Sequence, residues 1–215
     1  MKIDNIYTGY VLSLAIPVFS LALYHINLPW VLLVSTYSVW YIAEAIIEVK
    51  LSKKQGKNFI KGDNDHYSRV LLVFVRNMIF SISALYIVAF SRETNYLFIA
   101  FALVLFTLGL VIRIHAILSL GKQFTMVVNI NEDYVLVNDG IYALIRHPAY
   151  CGLLMIYTSF SMISGSLYLI IASLFFTLLV IINRIKIEER LLTDFFKKKY
   201  PDYIKNTWAI LPYIY

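Results

Sequence analysis

Two short polar stretches interrupt an otherwise apolar chain, and their residue types are those that hold charged and flat ligands. The first runs through Tyr142 and then Arg146-His147-Pro148-Ala149-Tyr150-Cys151-Gly152. The second is Arg184-Ile185-Lys186-Ile187-Glu188-Glu189-Arg190, with Arg184 and Glu188 one helical turn apart. Taken alone, each has a plain reading. The first can be a helix start, with Pro148 in the first turn, Arg146 and His147 at lipid headgroups and Tyr150 in an aromatic belt. The second can be a solvated helix face on which Arg184 pairs with Glu188. Brought together, they make a pocket of cationic, aromatic and carboxylate groups. Such a pocket suits a zwitterionic cofactor with a polar head and a flat base.

The elements that must bring them together are membrane spans. The chain has 215 residues, of which 60% are hydrophobic and only 15% charged. Its mean hydropathy is +0.72. Soluble domains hold about 45–50% apolar and about 25% charged residues. These values exclude an ordinary soluble enzyme and a disordered chain. Apolar runs of about 20 residues cross the hydrocarbon core as helices. Such runs occur at 6–26, 28–49, 70–90 and 96–120, with Pro17 inside the first. The stretch 150–183 is too long for one span, and Ser164-Gly165-Ser166 divides it into a short helix, 150–163, and a longer one, 167–183.

The expected fold is therefore an all-α integral membrane protein of about six transmembrane helices, ending in a helical hairpin. That hairpin places His147 and Tyr150 beside Arg184 and Glu188. Lys and Arg set the orientation. Six lie in 50–69, three in 113–146 and seven from Arg184 onward, against Arg92 alone on the other side. With six spans every basic segment falls on one face, so both termini and the pocket are expected to be cytoplasmic. The membrane is the endoplasmic reticulum in a eukaryote or the plasma membrane in a prokaryote. Between the spans, 125–130 and 134–137 read as β-like runs, and 187–200 as a separate helix lying on the membrane surface.

Several chemistries lack their residues. The eight glycines form neither GxGxxG nor GxxxxGK[ST], so no Rossmann or P-loop nucleotide domain is expected. Neither GxSxG nor HExxH occurs. Cys151 is the single cysteine, and His25, His66, His115 and His147 never fall at HxxxH spacing, so no metal is expected. The net charge of +6 carries no nucleic-acid motif and suits anionic lipid instead.

The run Leu136-Val137-Asn138-Asp139-Gly140-Ile141-Tyr142, followed by Arg146-His147-Pro148-Ala149-Tyr150-Cys151-Gly152, resembles the signature of the isoprenylcysteine carboxyl methyltransferases. Glu188-Glu189-Arg190-Leu191-Leu192, Phe195-Phe196, Tyr200-Pro201-Asp202-Tyr203 and Leu211-Pro212 are similar to that family's C-terminal pattern. So is the approach through Leu110, Arg113, Leu120-Gly121 and Phe124-Thr125. The resemblance covers about residues 105–215. It implies a methyltransferase core there, and access and scaffold helices in 1–104. It implies S-adenosylmethionine as methyl donor, S-adenosylhomocysteine as product, and a prenylated or similarly lipidic acceptor within membrane lipid. By motif position, Tyr142, His147, Pro148, Ala149, Tyr150 and Glu188 line the cofactor. Tyr134, Val135, Leu136 and Val137 supply mostly backbone contacts, Asn129 is a further polar contact, and Arg184 faces the acceptor carboxylate.

The implied reaction needs no general base. A C-terminal carboxylate ionises near pH 3.5 and is an anion at neutral pH. Its attack on a sulfonium methyl annihilates two charges, which alignment and a water-poor site favour. Two other enzyme classes share parts of the pattern. Phospholipid N-methylation needs a neutral amine and a nearby base, where this chain offers Arg184. A sterol-type reductase needs a basic site for the NADPH 2′-phosphate, which the sequence does not offer. Buried charges in the other spans need partners; Glu44 or Glu48 is expected to pair with Arg76, and Arg113 to anchor at headgroups or join the pocket.

Overall fold

The computed structural model describes residues 27–52, 66–90, 95–124 and 134–212. These form six α-helices: α1 (Leu28–Ser52), α2 (His66–Ala89), α3 (Tyr96–Leu120), α4 (Pro148–Ile163), α5 (Leu167–Phe196) and α6 (Lys199–Lys205). Short 3₁₀ turns at Gly121–Gln123 and Gly140–Ala143 complete them. The segments 6–26 and 125–130, with Asn129, lie outside the described residues. Residues 134–137 are described without regular structure, and among the described residues there is no β-strand; one isolated bridge joins Ile145 to Trp208.

Four helices are long and apolar enough to cross a bilayer: α1, α2, α3 and α5. Their outward faces carry large apolar side chains such as Leu85 (66% exposed) and Leu97 (65%). Water would penalise such a surface, and lipid does not. The 16-residue α4 is shorter, about 24 Å at 1.5 Å per residue. It is buried nearly all round, as expected for a helix apolar on every face at the centre of a bundle. One core runs through it, joining Trp30, Tyr37 and Trp40 of α1, Phe80 of α2, Phe106 of α3, Tyr157 and Phe160 of α4, and Ile181 and Ile185 of α5.

Local chemistry sets the boundaries. The Asn95 side chain caps α3 by accepting from Leu97 N (3.1 Å) and Phe98 N (3.3 Å). Pro148 opens α4, where its missing N–H is not needed. Gly165, with φ of +74°, turns the chain from α4 into α5. The closest helix approach is α3 on α4, through Gly109 and Gly152. A Cβ on Gly152 would fall 2.6 Å from the Gly109 carbonyl oxygen and 2.8 Å from Arg113 Cβ. Small residues at such a contact let two backbones meet and leave packing to hold them.

One expectation is corrected. The helix after Gly165 does not stop at Asn183 to leave a separate surface helix over 187–200; α5 continues unbroken to Phe196. No Pro or Gly interrupts it. Ser173, Thr177, Val180, Ile181, Arg184, Ile185 and Leu192 form one buried stripe at helical spacing, and packing along that stripe carries the helix out of the span.

Candidate active site

The return of α5 against α4 places the two polar stretches side by side. Tyr150, in the first turn of α4, donates its hydroxyl hydrogen to Glu188 Oε2 (2.8 Å). The Tyr150 hydroxyl oxygen in turn accepts from Arg184 Nε (2.7 Å). The pairing of Arg184 with Glu188 along one helix therefore runs through a phenol from another. Arg184 is only 5% exposed. Its Nη1 donates to Ser68 Oγ on α2 (3.2 Å), and its guanidinium lies 5.9 Å from the Tyr150 ring centre.

His147 sits between the two carboxylates. Its Nε2 lies 3.1 Å from Glu189 Oε1, and its Nδ1 lies 3.8 Å from Glu188 Oε2. An ionised carboxylate can only accept, so Nε2 serves there as donor. The imidazole stacks on the Tyr150 ring at 5.7 Å and 25°. Arg146 Nε donates to the same Glu189 oxygen (2.7 Å). Two guanidinium groups and two carboxylates thus meet at the site, Arg146 directly on Glu189 and Arg184 through the Tyr150 hydroxyl to Glu188. Among the described residues, no group of three or more His, Cys, Asp or Glu side chains could hold a metal ion.

The C-terminal tail holds the first stretch in place. Arg146 N donates to Trp208 O (2.8 Å), His147 N to Ala209 O (2.9 Å), and Trp208 N to Leu144 O (3.0 Å). Arg146 Nη1 also donates to the carbonyls of Thr207 and Ile204. These bonds satisfy backbone just ahead of α4 and fix the direction from which His147 enters. Tyr203 donates its hydroxyl to Tyr142 O, and Tyr142 donates to Ala116 O (3.2 Å).

Four tyrosines outside the spans surround the carboxylate pair. Burial, with the Glu188 charge second, pushes the Tyr134 and Tyr142 phenols well above their ordinary value. Burial, followed by Glu189 and Glu188, does the same to Tyr200. Burial pushes Tyr203 up to about 12. Each stays a neutral donor, and none adds negative charge beside the glutamates.

The anticipated residues thus divide. Tyr142, His147, Pro148, Ala149, Tyr150, Arg184 and Glu188 lie at or beside one site. Tyr134 packs on Phe196 (6.0 Å between ring centres), and Leu136 joins it in a small apolar cluster with Leu192 and Tyr200. Val137 packs with Tyr142 and Ala149, while Val135 is 62% exposed. Glu189, Ser68, Tyr200 and Thr207 carry no assignment from sequence. The adjacent carboxyl groups at 188 and 189 are the one signal for Glu189: in a helix they point about 100° apart, so each needs its own partner.

Of the two partners expected for Arg76, only Glu44 can be followed. Glu44 pairs with Arg113, not Arg76, through Nε and through Nη2 to Oε2 (3.0 Å). The Glu48 side chain lies outside the described residues. Arg113 also donates to Ala149 O (3.1 Å), so it braces the first turn of α4 instead of reaching headgroups. Arg76 donates to Asn77 Oδ1 (3.0 Å) and lies 5.2 Å from the Trp40 ring centre. The Gly109–Gly152 contact brings Arg113 to Ala149, and a residue sequence cannot specify that contact.

An apolar groove of about 490 Å³ opens between α2 and α5. Phe74 and Met78 line one wall, Phe176 and Val180 the other. Along α5 it extends from Leu169 to Asn183, about 21 Å at 1.5 Å per residue. Its Leu71–Asn183 end lies next to the Ser68–Arg184 hydrogen bond.

These features define a membrane-embedded helical protein with a polar site at one end of a lipid-facing groove. The isoprenylcysteine carboxyl methyltransferase (ICMT) family model matches residues 100–194. A probable protein-S-isoprenylcysteine O-methyltransferase of Oryza sativa subsp. indica is 31% identical over 133 residues, 58% of this chain and 67% of the relative. The chain belongs to this family. Protein-S-isoprenylcysteine O-methyltransferase A of Arabidopsis thaliana is 32% identical over 121 residues, 53% of this chain and 59% of that protein. The Schizosaccharomyces pombe enzyme is 34% identical over 112 residues, 50% of this chain and 46% of that protein. The chain thus spans about half the length of these two relatives. A solved structure of a eukaryotic intramembrane Ras methyltransferase, ICMT, has the same fold (TM-score 0.62, 20% identity, 100% of this chain and 88% of that one).

Proposed function

We propose that this chain is an S-adenosylmethionine-dependent O-methyltransferase that esterifies the carboxylate of a prenylated cysteine. The observation that carries this reading is the junction of groove and site: the apolar groove ends at Leu71 and Asn183, one turn from Ser68 and one residue from the buried Arg184 that bonds it. An acceptor with a long apolar tail and an anionic head fits that order of surfaces. The tail enters sideways from lipid, and the head meets the cation.

The donor set fits the methyl donor. Glu188 and Glu189 are carboxylates that can hold its ammonium and hydroxyl groups, and the His147–Tyr150 stack offers flat faces for its base. Ala149 stands between them in the first turn of α4, and Tyr134, Val135, Leu136 and Val137 offer backbone groups. When bound, S-adenosylmethionine supplies a sulfonium methyl group to the acceptor's carboxylate oxygen, leaving S-adenosylhomocysteine. Arg184 holds the carboxylate, anchored by Tyr150 and Ser68 so that its charge stays in place. The surrounding helices exclude water, which otherwise stabilises the charged reactants. In this reading residues 105–215 form the methyl-transfer core and 1–104 the access scaffold.

Methyl transfer from labelled S-adenosylmethionine to N-acetyl-S-farnesylcysteine, in protein reconstituted into lipid, tests the reading. Base-labile methyl ester is the expected product. Base-stable label on phosphatidylethanolamine would move the assignment to N-methylation. Binding of NADPH without S-adenosylhomocysteine would move it to a reductase. The distribution of Lys and Arg supports a cytoplasmic site. A cysteine placed at Lys198, beside the end of α5, should react with an impermeant maleimide from the cytoplasmic side only.

A further inference from the structure

Along the groove the polar side chains are few. Ser83, Ser161 and Ser173 line its inner part. Ser161 already donates to Thr158 O (2.8 Å) and Ser173 to Tyr157 O (3.2 Å). At the other end, one residue before Arg184, the lining includes Asn183. Its carboxamide is exposed to the groove, and among the described residues no hydrogen bond engages it. Asn183 and Arg184 are adjacent on one helix and therefore point about 100° apart. Arg184 turns to Tyr150 and Ser68, while Asn183 lines the groove mouth.

An S-prenylated cysteine has three parts in fixed order. The thioether carries the tail, the carboxylate takes the methyl, and the α-nitrogen branches between them. With the tail in the groove and the carboxylate at Arg184, the α-nitrogen falls at the groove mouth. We propose that Asn183 is a specificity-determining residue that recognises the acceptor's acylated α-nitrogen, the amide linking the terminal cysteine to the peptide before it. A carboxamide suits this task because it both donates and accepts. Its oxygen takes the acceptor's amide hydrogen when that edge of the trans amide faces it, and its nitrogen donates to the acyl oxygen when the opposite edge does. A hydrocarbon tail bearing a carboxylate but no amide leaves Asn183 unused. The site thereby favours a peptide-linked prenylcysteine over the prenylated acids and fatty acids dissolved in the same membrane. This inference rests on the methyltransferase reading.

Two acceptors separate them: N-acetyl-S-farnesylcysteine, and S-farnesylthiopropionic acid, which has the same tail and carboxylate but no α-nitrogen. For Asn183→Ala, the KM for the first should rise about five- to tenfold, the value of one or two hydrogen bonds at a partly exposed site, with kcat changed less than twofold. The KM for the second should stay within twofold of the unaltered protein. Asn183→Leu, which fills the same space without polar atoms, should behave alike. Equal changes for both acceptors, or no change for either, would overturn the proposal. So would loss of S-adenosylhomocysteine binding in both variants, which would make Asn183 structural. If the unaltered protein methylates neither acceptor, the methyltransferase reading fails and takes this proposal with it.

Discussion

Tyr150 donates its hydroxyl to Glu188 across 2.8 Å, tying the first turn of α4 to the far end of α5. Because Arg184 donates to the same hydroxyl, one phenol positions both a cation and an anion. Tyr150→Phe keeps the ring and its stack on His147 but removes both hydrogen bonds. Hydrogen bonds to charged groups contribute about 1.5–3 kcal/mol each. Methyl transfer should fall at least tenfold while the protein stays folded. Initial rates and S-adenosylhomocysteine binding check this, and unchanged values for both would remove the relay from the mechanism.

Glu189 should matter more for stability than for chemistry. It joins Arg146 and His147, and through Arg146 it holds the tail at Thr207. Its side chain is 20% exposed, so solvent screens the pairs only in part. Glu189→Gln should cost about 1–3 kcal/mol and lower the thermal midpoint in detergent by several degrees. A double-mutant cycle with Arg146→Met should give a coupling energy well above zero; strict additivity would show that the two residues do not work as a pair.

The glycine contact between α3 and α4 leaves no room for a methyl group. Gly152→Ala puts a carbon 2.6 Å from the Gly109 carbonyl, against backbone that cannot rotate away. Overpacking of this kind costs about 1–3 kcal/mol. The helices must separate, which draws Arg113 from Ala149 O. We expect lower thermal stability together with weaker S-adenosylhomocysteine binding. Retention of both would mean that α3 shifts without disturbing α4.

Alkaline pH should loosen the site from its soluble side. The ordinary phenol value is near 10. Burial pushes Tyr203 up to about 12 and raises Tyr134, Tyr142 and Tyr200 as well. Above pH 10 the unfolded chain therefore binds fewer protons than the folded one, and stability must fall as pH rises through that window. The contribution is complete below about pH 10 and is lost towards pH 12. Tyrosinate absorbance followed against pH should show a late fraction, and Tyr203→Phe should make it smaller. A single titration near the ordinary value would contradict the burial.

Much of this arrangement is legible in the residues. The limits of α3 match the apolar run 96–120 because Asn95 caps one end and Gly121 closes the other. The α4–α5 turn falls at Gly165, where a positive φ is required. The hairpin that joins the His147 and Glu188 stretches follows from that turn. The sequence marks Glu44 as needing a partner but does not say which. It shows the pair at 188 and 189 but not that His147 stands between them.

Sequence by itself determined the membrane class, the helices described in common with its apolar runs, and the meeting of two polar patches. All of these follow from hydropathy, turn chemistry and chain connectivity, which act over a few residues or one hairpin. Tertiary structure decided that Glu44 meets Arg113, that Glu189 binds Arg146, that the tail straps residues 144–147, and that α5 runs on to Phe196. Those choices depend on how closely and at what rotation two helices pack. A charge in an apolar interior demands a counter-charge, and the rotation at which α1 and α3 face each other makes Arg113 the partner of Glu44.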